Sequence, residues 1–240
     1  MTGVNQLTNE DIIILIPARG GSKGIINKNI KKLAGKPLIH YSIEVAQQIV
    51  PNKQIIVSTD SPEIVACASE KGIKIDSLRP KHLSTDTSST YDVLIHEVEK
   101  IEQSGWYPKT LVLLQPTSPL RKVEDVIKGI VQFNETKDVD LLVGVKKTNA
   151  NPYYVLYEEN ELGYLERSKK SNFTRRQDCP DVWETNGALY VVDIAALKKQ
   201  SLGEMQKRKG FEMDEISSLD IDTPLDWLIV ETIIKKDFSA

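Results

Sequence analysis

Two rhythms of apolar residues alternate along most of this chain. IIILI at 12–16 is an uninterrupted apolar run, the pattern of a strand buried on both faces. Residues 38–50 space their apolar side chains for one helix face. QIIVSTD at 54–60 predicts a second strand, and PEIVACASEKG a second helix, with Pro62 at a tolerated early position and Gly72 as a stop. A short strand is expected at 73–75 and a helix at 88–103. TLVLLQ at 110–115 predicts another core strand, VEDVIKGIVQFN the helix after it, and LLVGV at 141–145 a further strand. Strand and helix repeated this often predict an α/β fold, a doubly wound and mostly parallel sheet with right-handed crossovers.

The rhythm changes near Asn149. PYYVLYEENELGYLERS predicts two strands around a turn, followed by the polar stretch SKKSNFTRRQDCPD. ALYVVD at 188–193 is strand-like after an Asn186-Gly187 turn. LDIDTPLDWLIVETIIKK predicts a short strand running into a helix that Asp222 or Thr223 can cap and Pro224 can open. Residues 149–185 are too polar to form their own core. The expectation is therefore one domain over 1–240 with an inserted arm at about 149–185, packed on the main body or on a second subunit.

Composition changes this picture little. The 40% hydrophobic and 27% charged fractions are those of an ordinary globular chain, long enough for a substantial core. A net charge of −3, with no basic tail, argues against nucleic acid as a partner. Cys67 and Cys179 form no CxxC pair, which argues against a zinc site or a disulfide framework. His40, His82 and His96 show no metal or triad spacing. The residues before the first strand lack a basic leader, and the apolar run is too short to span a bilayer, so no membrane is expected and a cytoplasmic location is.

Chemistry gathers first at PARGGSKG (17–24), directly after a buried strand. Ligands of open α/β sheets bind beyond the carboxyl ends of the strands. Gly20 and Gly21 let backbone N–H groups approach a ligand, Ser22 adds a hydroxyl, and Arg19, Lys23 and Lys28 add charge, with Asn29 close behind. One cation at about 4 Å from an anion contributes roughly 4 kcal/mol at an effective dielectric near 20, before desolvation is subtracted. The spacing is not the GxxxxGKS/T of a P-loop, nor the GxGxxG of a dinucleotide site. The second concentration is Asp220 and Asp222. On extended backbone, i and i+2 share a face, so both carboxylates can meet one hard cation, Mg²⁺ or Mn²⁺, beside substrate phosphates. Gln115, Thr117 and Ser118 leave the end of a core strand, where polar side chains suit sugar or ribose hydroxyls. Arg121 is placed to cap or pair with the acidic start of the following helix, Glu124 and Asp125, and is assigned no part in the site.

PARGGSKGI followed by KNI resembles the opening motif of the cytidylyltransferases that make CMP-activated nonulosonic acids, the CMP-sialic acid synthetase family. VSTDSPEI, RPKHLSTDTSS, LLQPTSPLR, TRRQ, ETNGALYV and LDIDTPLD continue the likeness in the family's order across nearly the whole chain. The resemblance implies a Rossmann-like nucleotidyltransferase with a dimerisation arm. It implies that Arg19, Ser22 and Lys23 embrace the CTP phosphates, that Lys28 and Asn29 lie near phosphates and ribose, and that Arg79 contacts the base. It places Gln115 in the acceptor site and Arg176, beside Gln177, toward the acceptor carboxylate. It also implies a homodimer in which one subunit helps close the other's site. Tyr154 and Glu184 depart from the sialic acid enzymes, while NPYY and NFTRRQ resemble the branch acting on legionaminic acid.

The implied reaction is attack by the anomeric hydroxyl of an acidic nine-carbon sugar on the α-phosphate of CTP. Asp220 and Asp222 hold the metal, Arg19 and Lys23 steady the departing pyrophosphate, and no general base is identifiable. The competing readings are a Kdo cytidylyltransferase, a DxD glycosyltransferase and a non-catalytic nucleotide-binding module. The little chain that follows Asp222 disfavours the glycosyltransferase.

Overall fold

The computed structural model describes residues 10–21, 24–85 and 87–237. Strand β1 (Ile12–Pro17) comes first, then a two-residue hairpin of β2 (Lys32–Leu33) and β3 (Lys36–Pro37), helix α1 (Leu38–Gln47), β4 (Ile55–Ser58), α2 (Pro62–Ser69) and α3 (Thr90–Gln103). They are followed by β5 (Thr110–Leu113), α4 (Val123–Glu135), β6 (Leu141–Lys147), the hairpin β7 (Tyr157–Glu159) and β8 (Leu165–Arg167), β9 (Trp183–Asp193), α5 (Ile194–Leu197), β10 (Arg208–Glu212) and α6 (Pro224–Asp237).

The main sheet has the order β10-β6-β9-β5-β1-β4. β1 runs parallel to β4 and β5, β10 runs parallel to β6, and β9 alone is antiparallel to its neighbours. The period-2 geometry of β1 divides its apolar run between two layers. Ile12, Ile14 and Ile16 pack with residues of α1, α2 and α4, whereas Ile13 and Leu15 pack with α3 and α5. Helices thus cover both faces, as the sequence predicts for a doubly wound α/β fold.

A third cluster positions the site. Ile25 from the loop after β1, Leu33 and Leu38 from the small hairpin and α1, and Ile221, Trp227, Val230 and Ile234 from the last segment are all buried together. Burying each such side chain contributes roughly 1.5–3 kcal/mol. That contribution ties the first loop to the last helix.

Several expectations fail for local reasons. No strand forms at 73–75: Ile73 is buried, but β4 is the sheet edge and residues 71 and 72 give their carbonyls to the side chains of Gln47 and Asn52. Asn186-Gly187 is not a turn between strands but a bulge inside β9. Val143 pairs with Tyr190 and Val145 with Thr185, so residues 186–189 lie opposite Gly144 alone. Residues 219–222 form no strand, because Ile221 makes a single ladder-like bond, from its N–H to the Thr117 carbonyl at 2.8 Å. β10 carries a charged, exposed sequence that period-2 reading passes over. The arm holds the expected hairpin, β7 with β8, and exposes Leu162, Tyr164 and Leu165.

Candidate active site

The loop after β1 is held from behind by two side chains. Asp60, just past β4, accepts the Gly20 N–H at 2.8 Å, and the Asn29 amide donates to the Arg19 carbonyl at 2.9 Å. The Gly20 N–H is therefore committed to the protein rather than turned toward a ligand. Gly21, at φ +65°, takes a left-handed conformation that suits glycine. Ser22 and Lys23, expected to bind phosphate, lie outside the described residues.

Loop and acidic pair meet. Gly24 packs so closely on the last segment that a Cβ there would stand 2.7 Å from the Asp222 carbonyl oxygen. Lys28 donates from Nζ to the Ile221 carbonyl at 2.7 Å and to Asp222 Oδ1 at 3.4 Å. Ile221 is fully buried, and Asp222 beyond it lines the cleft. Asp222 is free of capping duty, because Thr223 and Asp226 form a reciprocal capping box. Asp226 Oδ2 accepts the Thr223 N–H at 2.7 Å, and the Thr223 hydroxyl accepts the Asp226 N–H at 3.3 Å.

Asp220 sits deeper. Its Oδ1 accepts from the Ser118 hydroxyl at 3.4 Å, and both its Oδ2 and Gln115 Oε1 lie 3.8 Å from where a Gly187 Cβ would be. The bulge thus brings a residue without a side chain against the acidic pair, at φ +71°. Burial first, and the charge of Asp222 after it, raise the Asp220 carboxyl above its ordinary pKa. The Thr117 hydroxyl is buried beside that carboxylate and, by interacting with it, opposes the rise.

A cleft of about 420 Å³ joins these parts, lined by Arg19, Gly24, Lys28, Asn29, Arg79, Gln115, Thr117 and Asp222 among others. A second cavity, of about 230 Å³, shares Thr90 and Gln115 with it and adds Thr185, Tyr190 and Arg208. Arg208 Nη2 donates to the Leu202 carbonyl at 2.6 Å, which fixes the guanidinium at this cavity. Tyr190 lines this second cavity: burial raises its hydroxyl pKa, the charge of Asp220 adds to the rise and that of Arg208 opposes it.

Sequence reading missed the supports of this site. Arg79 is buried, donating from Nε to the Ser58 hydroxyl at 2.9 Å, and that hydroxyl donates to the buried Glu97 at 2.5 Å. Burial lowers the Arg79 pKa and the nearby Arg19 lowers it further, against Asp60 and Glu97. Two cations this close suit an anionic ligand. Arg121 does not pair with Glu124 or Asp125. It turns inward, fully buried, and donates to the carbonyls of Ala188 at 2.5 Å and Gln115 at 2.7 Å and to the Ser42 hydroxyl at 3.1 Å. Burial pushes its pKa down to about 9. It therefore fixes the backbone under both Gln115 and the bulge.

Arg176 and Gln177 are exposed on the arm and line a different pocket, with Asn149 and Asn151. Arg176 bonds the Asn149 side chain. Within one chain they do not join the cleft.

The residues present fit a hard divalent cation. Magnesium takes one or two carboxylates and completes its shell with phosphates and water. Asp220 and Asp222 repel each other beside cationic Lys28, and a cation between the two carboxylates would relieve that repulsion.

A mostly parallel sheet with this cleft beyond its strand ends is the architecture of nucleotidyltransferases. A solved structure of CMP:2-keto-3-deoxy-manno-octonic acid synthetase complexed with CTP matches it at a TM-score of 0.69 with 20% identity, covering 94% of this chain and 99% of that one. The 4-diphosphocytidyl-2C-methyl-D-erythritol synthase of Anaerococcus prevotii matches at 0.63 with 10% identity, covering 93% and 98%. The chain belongs to the cytidylyltransferase family, whose model matches residues 13–235. Post-translational flagellin modification protein B of Campylobacter coli is 36% identical over 94% of this chain and 96% of its own length. The CMP-N,N'-diacetyllegionaminic acid synthase of Legionella pneumophila is 31% identical, covering 95% and 98%. The N-acylneuraminate cytidylyltransferase of Streptococcus agalactiae is 32% identical over 91% of this chain, which spans 52% of that longer protein.

Proposed function

We propose that this chain transfers CMP from CTP to the anomeric hydroxyl of a nonulosonic acid of the legionaminic or sialic type, releasing pyrophosphate. The observation that carries the reading is the meeting of the first loop and the acidic pair, with Gly24 against the Asp222 backbone and Lys28 bonded to Ile221 and Asp222. Relatives named as legionaminic acid and N-acylneuraminate enzymes at 31–32% identity support the sugar class.

Arg19 and Lys28, with Lys23, neutralise the triphosphate, and Arg79, braced by Ser58 and Glu97, reaches the nucleotide. Mg²⁺ on Asp220 and Asp222 would supply Lewis-acid stabilisation of the phosphate charge. The rest is positioning: Gln115, held through its carbonyl by Arg121, orients the acceptor hydroxyl for in-line attack on the α-phosphate. The second cavity receives the body of the acid, with Arg208 as the cation for its carboxylate. The test is pyrophosphate release from CTP and Mg²⁺ over a panel of nonulosonic acids and Kdo, with and without EDTA. No release with any acid would refute the reading, and turnover confined to Kdo would move the chain to the other sugar class.

Arg208→Met is expected to raise the KM for the acid about 10- to 100-fold, the loss of one charge-assisted hydrogen bond, with little change in the KM for CTP. Equal changes in both would remove Arg208 from acceptor binding.

The arm supports a homodimer. Its exposed Leu162, Tyr164 and Leu165 offer apolar cover, and Arg176 and Gln177 would act from one subunit on the other's cleft. Sedimentation at micromolar concentration is expected to give twice the chain mass, and Leu165→Glu a monomer of low activity. A fully active monomer would count against the arm's role.

A further inference from the structure

Linear spacing hides one constellation. His40 on α1 faces Cys67 on α2 and Glu70 at the end of that helix, and their ligating atoms all lie within 4.8 Å of one another. Cys67 Sγ is 3.2 Å from His40 Nε2, and Glu70 Oε2 is 3.8 Å from the same nitrogen. Around zinc, bond lengths near 2.0–2.3 Å make tetrahedral ligand–ligand edges of about 3.3–3.6 Å. The two contacts of His40 are within a few tenths of an ångström of that spacing, and the third pair, Cys67 with Glu70, lies within 4.8 Å, a gap that the exposed Glu70 side chain can close by a small rotation.

The surroundings complete the case. His40 and Cys67 are buried, while Glu70 is exposed and marks the way in. The three residues line a cavity of about 730 Å³, which leaves a fourth position for water. Lys36 and Lys71 line it too, but both are paired with Glu44, at 2.5 and 2.6 Å, so their charge is largely offset. None of the three residues lines the cleft beyond β1 and β5.

We propose that His40, Cys67 and Glu70 form an open site for a thiophilic divalent ion of the zinc type. On binding, the Cys67 thiol releases its proton to solvent as the metal–sulfur bond forms. The His40 proton moves to Nδ1, and its present bond from Nε2 to the Cys67 carbonyl, 2.8 Å, is given up. The ion ties α1 to α2. Because α2 starts two residues after Asp60, which holds the Gly20 amide, the tie reaches the support of the first loop rather than its reacting groups.

Titrating the full chain with Co²⁺ alone tests this. A sulfur-to-cobalt charge-transfer band should saturate at one equivalent and be bleached by Zn²⁺. It should vanish in Cys67→Ala and persist in Cys179→Ala. In Glu70→Gln, whose site is exposed and tolerant, Co²⁺ affinity should fall at least about 10-fold. Ions held by Asp220 and Asp222 give no such band, since oxygen ligands lack the transition. No band in the parent protein, or a band that survives Cys67→Ala, would overturn the assignment.

Discussion

Asp222→Asn is expected to lower CTP turnover by about 10²-fold or more while leaving the protein folded. With one carboxylate made neutral the divalent ion would be held more weakly and out of place, and losing one preorganised stabiliser of developing phosphate charge costs about 10²- to 10³-fold. The structure explains why stability should hardly move. The last helix is capped by Thr223 with Asp226, so among the described residues the Asp222 side chain carries no structural bond beyond the 3.4 Å contact with Lys28. Initial rates of pyrophosphate release at saturating CTP and Mg²⁺, with a thermal melt alongside, separate the two effects. A rate within a few-fold of the parent would take Asp222 out of the reaction.

Gly24→Ala is the second large effect. The added methyl would meet the Asp222 carbonyl oxygen at 2.7 Å, and that oxygen belongs to backbone that cannot swing aside. Either the loop or the acidic segment must retreat. A displacement near 1 Å among reacting groups can cost on the order of 10²-fold in rate. The expected outcome is a fall of that size in kcat/KM for CTP. The melt should soften only slightly, because Gly24 is exposed and Ile25, the loop's buried anchor, is untouched. Unchanged kinetics would show that the loop and the pair act independently, and the proposed chemistry would lose its foundation.

The layers of the fold were legible because each rests on short-range physics. An unbroken run such as 12–16 has to be buried on both faces, and helical spacing at 123–135 has to lie on a sheet. The charged loop and the acidic pair were legible as chemistry for the same reason: their residue types are near neighbours in the chain. What escaped depends on distant partners. Arg121 looks like a surface cation until Ala188, Gln115 and Ser42 come around it. The Asn186-Gly187 pair has turn chemistry, and only the opposing Gly144 shows that the left-handed glycine serves a bulge. Arg208 sits in a strand too charged for its alternation to read, and Tyr190 gains meaning only beside Asp220. His40, Cys67 and Glu70 are invisible to motif spacing, because the histidine lies 27 residues before the thiol, on a different helix.

The bond from Lys28 to the Ile221 carbonyl spans 193 residues. The first loop thus depends on a segment made 193 residues later, and no shorter portion of the chain can bring the two together. Contacts of such long range slow folding, since the intervening chain must be ordered before they form. During synthesis the nucleotide would find no competent pocket until the closing helix has emerged and docked. Catalytic readiness would then report that everything between Lys28 and Ile221 has folded.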